Sequence, residues 1–342
     1  MDDSTVRELI YFLKRRIQKN HRAYHLLYEM LTLNGAKLEQ IWNRKKYLSN
    51  FGGCWVDRKD YAELLPRLTA GCSAETIELV EKWYRDGYVV LKGAVSPERI
   101  DAYRAEMAKL ETKSDSPLLV TGQYLTEPKP IHATDIDAEG SFRVVDDFMF
   151  SPLARSILFN ARTAEFLRLI FQSEPVLTQS LRFKYGSAQG VHQDTAFVRM
   201  TSPFKLAASW VALEDIAEGT GELVYYPGSH RWTDFLFSEM YSHYDEERDG
   251  PVEFDRWLTW LHNRMKNSAV PPERFLAKKG DVLLWHAGLA HGGTPISDKS
   301  KTRLSLVGHY CPRNARPLYH FYKPQHRKIY RDGEKLYTSS YY

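Results

Sequence analysis

The chain has 342 residues, 43% of them apolar and 26% charged, which suffices for one large domain with extensions or for two ordinary ones. A formal net charge of +4, with no basic stripe interleaved with aromatics in the central region, argues against nucleic-acid binding. There is no long apolar run and no apolar leader with a small-residue cleavage site, so neither a transmembrane segment nor a secretory signal is expected, and a cytoplasmic protein is the default. The three cysteines, Cys54, Cys72 and Cys311, form no Cys-x-x-Cys pair, which argues against a disulfide framework or a zinc site.

From Ser4 to about Leu48, apolar residues including Val6, Leu9, Ile10, Leu13, Ile17, Leu27 and Leu31 recur at helical spacing. Two helices broken near Asn34-Gly35 are predicted, and residues 1–72 read as an N-terminal helical extension. Its basic residues, Lys14, Arg15, Arg16, Lys19 and Arg22 among them, form either a solvated face or a dock for an anionic surface, carrier or acidic partner. Next come a helical segment, AETIELVEKWYRDG, and a strand-like one, YVVLKGAV. Ser96-Pro97-Glu98 then reads as an N-cap, a first-turn proline and an acidic second position for a helix continuing to about Glu111. The polar, proline-containing stretch from Lys113 to Gly140 is too long for a connector and reads as a functional loop.

Beyond residue 175 the pattern changes to short strands bounded by Gly, Pro and Asp: LTQSLRFKY, LAASWVALED, GELVYYPGS, DVLLWHAGLAH and RLSLVGHYC. Such spacing predicts a mainly β fold, an antiparallel sandwich or barrel with the earlier helices packed outside. Residues 232–275, with WLTWLHNRM, form a partly helical insertion that is either a lid and substrate wall or simply packs on the exterior. Residues 313–342 are rich in Tyr and basic residues and read as a tail that wraps back onto the core or makes a subunit contact in a homo-oligomer.

Two His-x-acid motifs occur among 12 histidines and 43 carboxylates, about what chance supplies, so context has to separate them. His192-Gln193-Asp194 follows the strand-like VLTQSLRFKYG; on a strand its two polar side chains would point the same way, roughly 6 to 7 Å apart. One more imidazole would complete a two-His, one-carboxylate triad, which leaves half an octahedron open and suits Fe(II). His243-Tyr244-Asp245 lies in a polar run without alternation and reads as an exposed loop or helix end. In GDVLLWHAGLAHGG both His286 and His291 are available, and spacing alone does not choose between them. A strand-end position and the glycines that follow favour His291, with His286 as a packed core residue. Arg303 opens the next strand, and alternation puts Arg303, Ser305, Val307 and His309 on one face. The guanidinium suits a remote carboxylate, with the Ser305 hydroxyl as a further donor.

In FKYGSAQGVHQD, ASWVALEDIAEGTGELVYYPGSHR, GDVLLWHAGLAHGG and TRLSLVGHY, together with WYRDGYVVLKGAVSPERI, the chain resembles the phytanoyl-CoA dioxygenase family of iron- and 2-oxoglutarate-dependent oxygenases. The resemblance covers roughly residues 75 to 312. It implies a double-stranded β-helix (jelly-roll, cupin-like) in a dioxygenase domain over 73–312, with His192, Asp194 and His291 as ligands to Fe(II) and Arg303 as the 2-oxoglutarate clamp. Lys184 and Trp210 match positions that line the co-substrate pocket, and His230 of the Pro-Gly-Ser-His turn is structural. Gly293 stands where many members carry Ser, and Tyr185-Gly186 replaces a Pro-Gly. The reaction implied is oxidation of a small or medium polar metabolite, anionic or sugar-like, with O₂ consumed and succinate and CO₂ released. Retention of Asp194 favours hydroxylation over halogenation, with desaturation, epimerisation and ring formation open. Gln179, Phe197 and Arg199, with the Lys113 to Gly140 loop and the insertion, are expected to shape the substrate pocket. The rivals are a cupin-like metal enzyme that does not use 2-oxoglutarate and a catalytically silent scaffold, whose signature would be a missing ligand.

Overall fold

The computed structural model describes residues 40, 42–122, 129–130, 142–187, 189–318 and 328–342. The two predicted helices before Asn34 and after it, up to residue 39, therefore lie outside the described residues, as do most of the loop between Gly122 and Gly140 and residues 319–327 of the tail.

Strands β1 (Tyr88–Leu91), β2 (Leu119–Thr121), β3 (Lys129–Pro130), β4 (Arg143–Val145), β5 (Pro175–Phe183), β6 (Ala207–Ala212), β7 (Leu223–Tyr225), β8 (Glu273–Phe275), β9 (Val282–His286), β10 (His291–Gly293), β11 (Ser305–Pro312), β12 (Tyr330–Asp332) and β13 (Lys335–Tyr337) form two sheets. The larger runs β1-β9-β6-β11-β5-β4-β2-β3, and the smaller runs β10-β7-β8. These pairings are antiparallel, and the β12–β13 hairpin adds to the large sheet by a parallel contact of β13 with β5, Leu336 opposite Val176. The two sheets make the double-stranded β-helix expected from the sequence.

The central strands β6 and β9 are buried along their whole length because both faces are covered, which is why they read as continuous apolar runs rather than as alternation. On one face, Val89, Leu91, Val211, Val282, Leu284 and Leu306 pack against helices. These are α1 (Tyr61–Leu68), α2 (Ala74–Asp86), α3 (Pro97–Glu111), α4 (Pro152–Leu158) and α5 (Ala161–Phe171). On the other face, Tyr88, Phe183, Trp210, Leu283, Trp285 and Val307 pack with Leu223 and Tyr225 of β7 and Phe275 of β8, so this is the face enclosed between the sheets.

Local signals set the helix ends. Ser73 caps α2 by accepting from the Thr76 amide, and Gly87 ends it in the left-handed conformation. Ser96 and Pro97 start α3 as their order predicts, and Ser151 and Asn160 cap α4 and α5. The 232–275 insertion holds α6 (Glu246–Lys266), kinked at Gly250 and capped by Asp245. At the C-terminus, Ser339 Oγ donates to buried Asp146 Oδ2 at 2.6 Å, and the Tyr342 hydroxyl donates to the Pro117 carbonyl at 3.0 Å. No helix among the described residues is long and apolar enough to cross a membrane.

Candidate active site

His192 and His291 are joined through their backbones: the His192 amide donates to the His291 carbonyl at 2.8 Å and the His291 amide to the His192 carbonyl at 2.9 Å. This isolated bridge is all the strand character that His192 has, since Asp194 already opens a 3₁₀ turn, Asp194–Ala196. Gln193 between them is extended, so the alternation expected of a strand survives over three residues. The Gln193 side chain faces away and donates to the Gly288 carbonyl at 2.6 Å.

The predicted strand ending at His291 is in fact two strands. β9 stops at His286, a turn closed by the Leu289 amide on the His286 carbonyl carries the chain from the large to the small sheet, and His291 begins β10. The Ser229 hydroxyl accepts from the Ala290 amide at 2.7 Å and fixes the approach to His291. After it, the two glycines are sterically required: a Cβ on Gly292 would meet the Val191 backbone at 2.8 Å, and one on Gly293 the Ser187 carbonyl at 2.5 Å. The close pairing with the His192 segment depends on their absence of side chains.

The three side chains converge. His192 Nε2 and His291 Nε2 lie 3.7 and 3.6 Å from Asp194 Oδ1, and one ligand atom from each residue falls within 4.8 Å of the others. Each imidazole uses Nδ1 against a backbone carbonyl, Gly190 and Leu289 respectively, both at 2.9 Å. A carbonyl only accepts, so Nδ1 carries the proton and Nε2 offers its lone pair inward. Burial, reinforced by the charge of His291, lowers the His192 pKa to about 4, which keeps it in the neutral form a metal needs. For Asp194, burial pushes the carboxyl up, but His291, His309, His192 and the Trp285 hydrogen bond outweigh it and leave the group below its usual range.

Two neighbours of the triad had no assigned role in the sequence. Trp285 Nε1 donates to Asp194 Oδ2 at 2.8 Å, and His309 Nε2 lies 3.9 Å from the same oxygen. Both follow from alternation, His309 on the face of Arg303 and Ser305, and Trp285 beside it through Ala208 in the register. What the sequence could not supply is that Asp194 would sit over them.

Arg303 is 2% exposed, an extreme position for a guanidinium. Nη1 donates to the Gly221 carbonyl at 2.5 Å, the group faces the rings of Phe183 and Trp210 at 5.6 and 5.8 Å, and Nε is buried with no partner. Desolvation lowers its pKa to about 10, opposed by buried Glu222. The Ser305 hydroxyl and Trp210 Nε1 are likewise buried without partners. Orphaned donors at such depth are costly, and together they fit an anionic acceptor that comes from outside the chain.

The sequence profile of the phytanoyl-CoA dioxygenase (PhyH) family matches residues 83–303. The chain belongs to this family. Among its relatives, the phytanoyl-CoA dioxygenase domain-containing protein 1 homolog of Caenorhabditis elegans is 24% identical over 268 residues, spanning 69% of this chain and 91% of the relative. The corresponding protein of Danio rerio is 26% identical over 186 residues, spanning 44% and 64%. Among solved structures, the non-heme alpha ketoglutarate dependent epimerase SnoN aligns over 78% of this chain and 98% of its own, with 19% identity and a TM-score of 0.52, a likeness of fold.

Other residues that the PhyH resemblance or the sequence pointed to divide clearly. Gln179 lies on the enclosed face, opposite His309 in the register, and Phe197 stacks edge-on against His192 with ring centroids 5.6 Å apart. Lys184 is not brought to the site: its side chain is exposed, with the ammonium over the Tyr185 ring. The reason is parity, since Phe183 takes the enclosed face at the end of β5 and Lys184 follows it. Nor is Arg199, whose guanidinium is tied to Asp245 at 2.8 Å and to the Tyr244 carbonyl. His286 is buried against Trp83, Phe204 and His230, and His230 bonds the Tyr84 carbonyl through Nε2.

Proposed function

We propose that the protein is an Fe(II)- and 2-oxoglutarate-dependent dioxygenase that hydroxylates a C–H bond of a small or medium polar metabolite. The observation that carries this reading is Arg303, buried with an unpartnered Nε beside the orphaned Ser305 hydroxyl, on the enclosed face with the His192, Asp194 and His291 cluster. A cupin-like metal enzyme that does without 2-oxoglutarate has no use for that cation.

His192, Asp194 and His291 would hold the iron, and Arg303 and Ser305 the remote carboxylate of 2-oxoglutarate. When bound, this pair supplies the oxidising chemistry that couples breakdown of the keto acid, with O₂, to succinate and CO₂ with oxidation of the substrate. Trp285, through its bond to Asp194 Oδ2, fixes which carboxylate oxygen faces the imidazoles. Phe197 packs edge-on against His192 and is backed edge-on by Trp257 of α6 at 5.6 Å, so the insertion supports one wall of the site. Retention of Asp194 as the carboxylate favours hydroxylation.

The test is anaerobic addition of Fe(II) and 2-oxoglutarate, followed by oxygen. A visible charge-transfer band and then succinate are expected; absence of both sinks the reading. Mass analysis of the oxidised substrate distinguishes an added oxygen from the loss of two hydrogens or an unchanged mass.

A further inference from the structure

The enclosed face holds a second guanidinium that the reading above does not use. Arg143 on β4 pairs with Phe183 on β5, which pairs with Ser305 on β11. Cross-strand partners share a face, so Arg143 presents to the side of Ser305, Val307 and His309 rather than to the helices. Its Nε is buried without a partner, and no carboxylate pairs with it among the described residues.

Its surroundings are polar. Arg143 lies within electrostatic reach of His309 and of Tyr341, and Tyr341 lies beside Gln179, the residue directly across from His309. His309 Nδ1 is itself buried and unpartnered. Burial lowers the Arg143 pKa, and among the described residues the Tyr341 hydroxyl offsets this. A largely buried cation with no counter-charge among the described residues is costly to desolvate, so the site suits an anion. In the reading above, one end of 2-oxoglutarate meets the metal and the other meets Arg303 and Ser305. Neither end is left for Arg143.

We infer that Arg143, Gln179 and Tyr341 form an anion subsite on the enclosed face, and that the oxidised substrate carries a carboxylate, phosphate or sulfate group held there. The inference rests on the co-substrate assignment to Arg303. It also gives the C-terminal segment a place in substrate recognition, since Tyr341 comes from the end of the tail.

Two titrations test it on the full chain, with wild type, Arg143→Gln, Arg143→Lys and Arg303→Gln. The first adds 2-oxoglutarate to anaerobic Fe(II) enzyme and follows the charge-transfer band. The second adds sulfate, at constant ionic strength, to enzyme saturated with 2-oxoglutarate and follows heat. Wild type should bind one sulfate, Arg143→Gln should weaken it by about thirtyfold or more, and Arg143→Lys, which keeps the charge and shows that the site still folds, should retain part of the affinity. Arg143→Gln should leave 2-oxoglutarate affinity within about threefold, whereas Arg303→Gln should weaken it by about a hundredfold. No sulfate binding by wild type, unchanged binding in Arg143→Gln, or a 2-oxoglutarate loss in Arg143→Gln equal to that in Arg303→Gln each overturns the subsite. A wild-type enzyme with no band would instead remove the iron reading, and sulfate binding to the same protein would still report on Arg143.

Discussion

His192-Gln193-Asp194 and His243-Tyr244-Asp245 are the same motif twice, and the fold gives them opposite fates. Their imidazoles even share an electrostatic signature, since burial lowers both to a pKa of about 4. What differs is the company. Around His192 stand a second imidazole and a carboxylate with inward-facing lone pairs, whereas around His243 stand the guanidiniums of Arg248 and Arg199, and Asp245 is spent on capping α6 and pairing Arg199. A metal site is made by the elements that meet at a motif, here the His192 bridge to β10, more than by the motif itself.

The largest effect that could break this contrast is in Asp194→Ala. Loss of the anionic ligand should abolish iron-dependent turnover and reduce iron binding to background, measured as bound metal after desalting and as succinate formed. Arg303→Gln should leave iron binding intact and weaken 2-oxoglutarate by about a hundredfold, the cost of losing a buried charge pair. Iron retained at full stoichiometry in Asp194→Ala would mean that the two motifs differ less than their geometry says.

A smaller effect is expected at Trp285→Phe, which keeps the ring but removes the donor to Asp194 Oδ2. Residues that orient a metal ligand are worth about 10- to 100-fold in affinity. An iron titration unchanged from wild type would show that Trp285 only fills space.

How legible this was depends on the range of the interaction. Period-2 alternation put Ser305 and His309 on one face, and the Ser96-Pro97 signal started α3, because both are local rules; Arg303, expected to open the strand, instead lies two residues ahead of β11 and faces Phe183 and Trp210. The two helices α4 and α5 are marked by their caps, Ser151 and Asn160, and by buried apolar residues at helical spacing, Ala154, Ile157 and Leu158 in α4 and Ala164, Leu167 and Phe171 in α5. The break between His286 and His291 was hidden because a strand that leaves one sheet for another keeps its apolar character on both sides of the turn. Trp285 and Arg143 could not be found from the sequence for a different reason: each needs a partner more than thirty residues away, Asp194 and Phe183, and register is a tertiary fact. Lys184 shows the converse, a family-matched residue that strand parity turns outward.

Acid sharpens the contrast further. For both histidines the folded pKa is about 4 against an ordinary 6.5, so below 6.5 the unfolded chain binds more protons than the folded one. Stability of the metal-free protein should therefore be fully present above pH 6.5 and be lost as pH falls toward 4. His243→Gln should shallow that loss, read as the pH dependence of Tm, without changing iron affinity at pH 7. A slope identical to wild type would mean that His243 is protonated in the fold and that the guanidiniums beside it do not govern it.

The smallest effect belongs to Asp245→Ala, and it is the one that isolates the motif from the site. The Asp245 carboxylate accepts from the Arg248 amide at 3.2 Å, and its own amide donates to Asp249 Oδ2 at 2.7 Å, a reciprocal cap at the start of α6. Its ion pair with Arg199 is partly exposed and contributes little. Removing the side chain should cost about 1 kcal/mol, a drop of a few degrees in Tm, because the capping acceptor is lost while the Asp249 half of the cap remains. Iron stoichiometry and 2-oxoglutarate affinity should match wild type. If Asp245→Ala lost iron as Asp194→Ala should, α6 would have to be holding Phe197 and His192 in place through its first turn, and the insertion would be part of the metal site rather than a wall beside it.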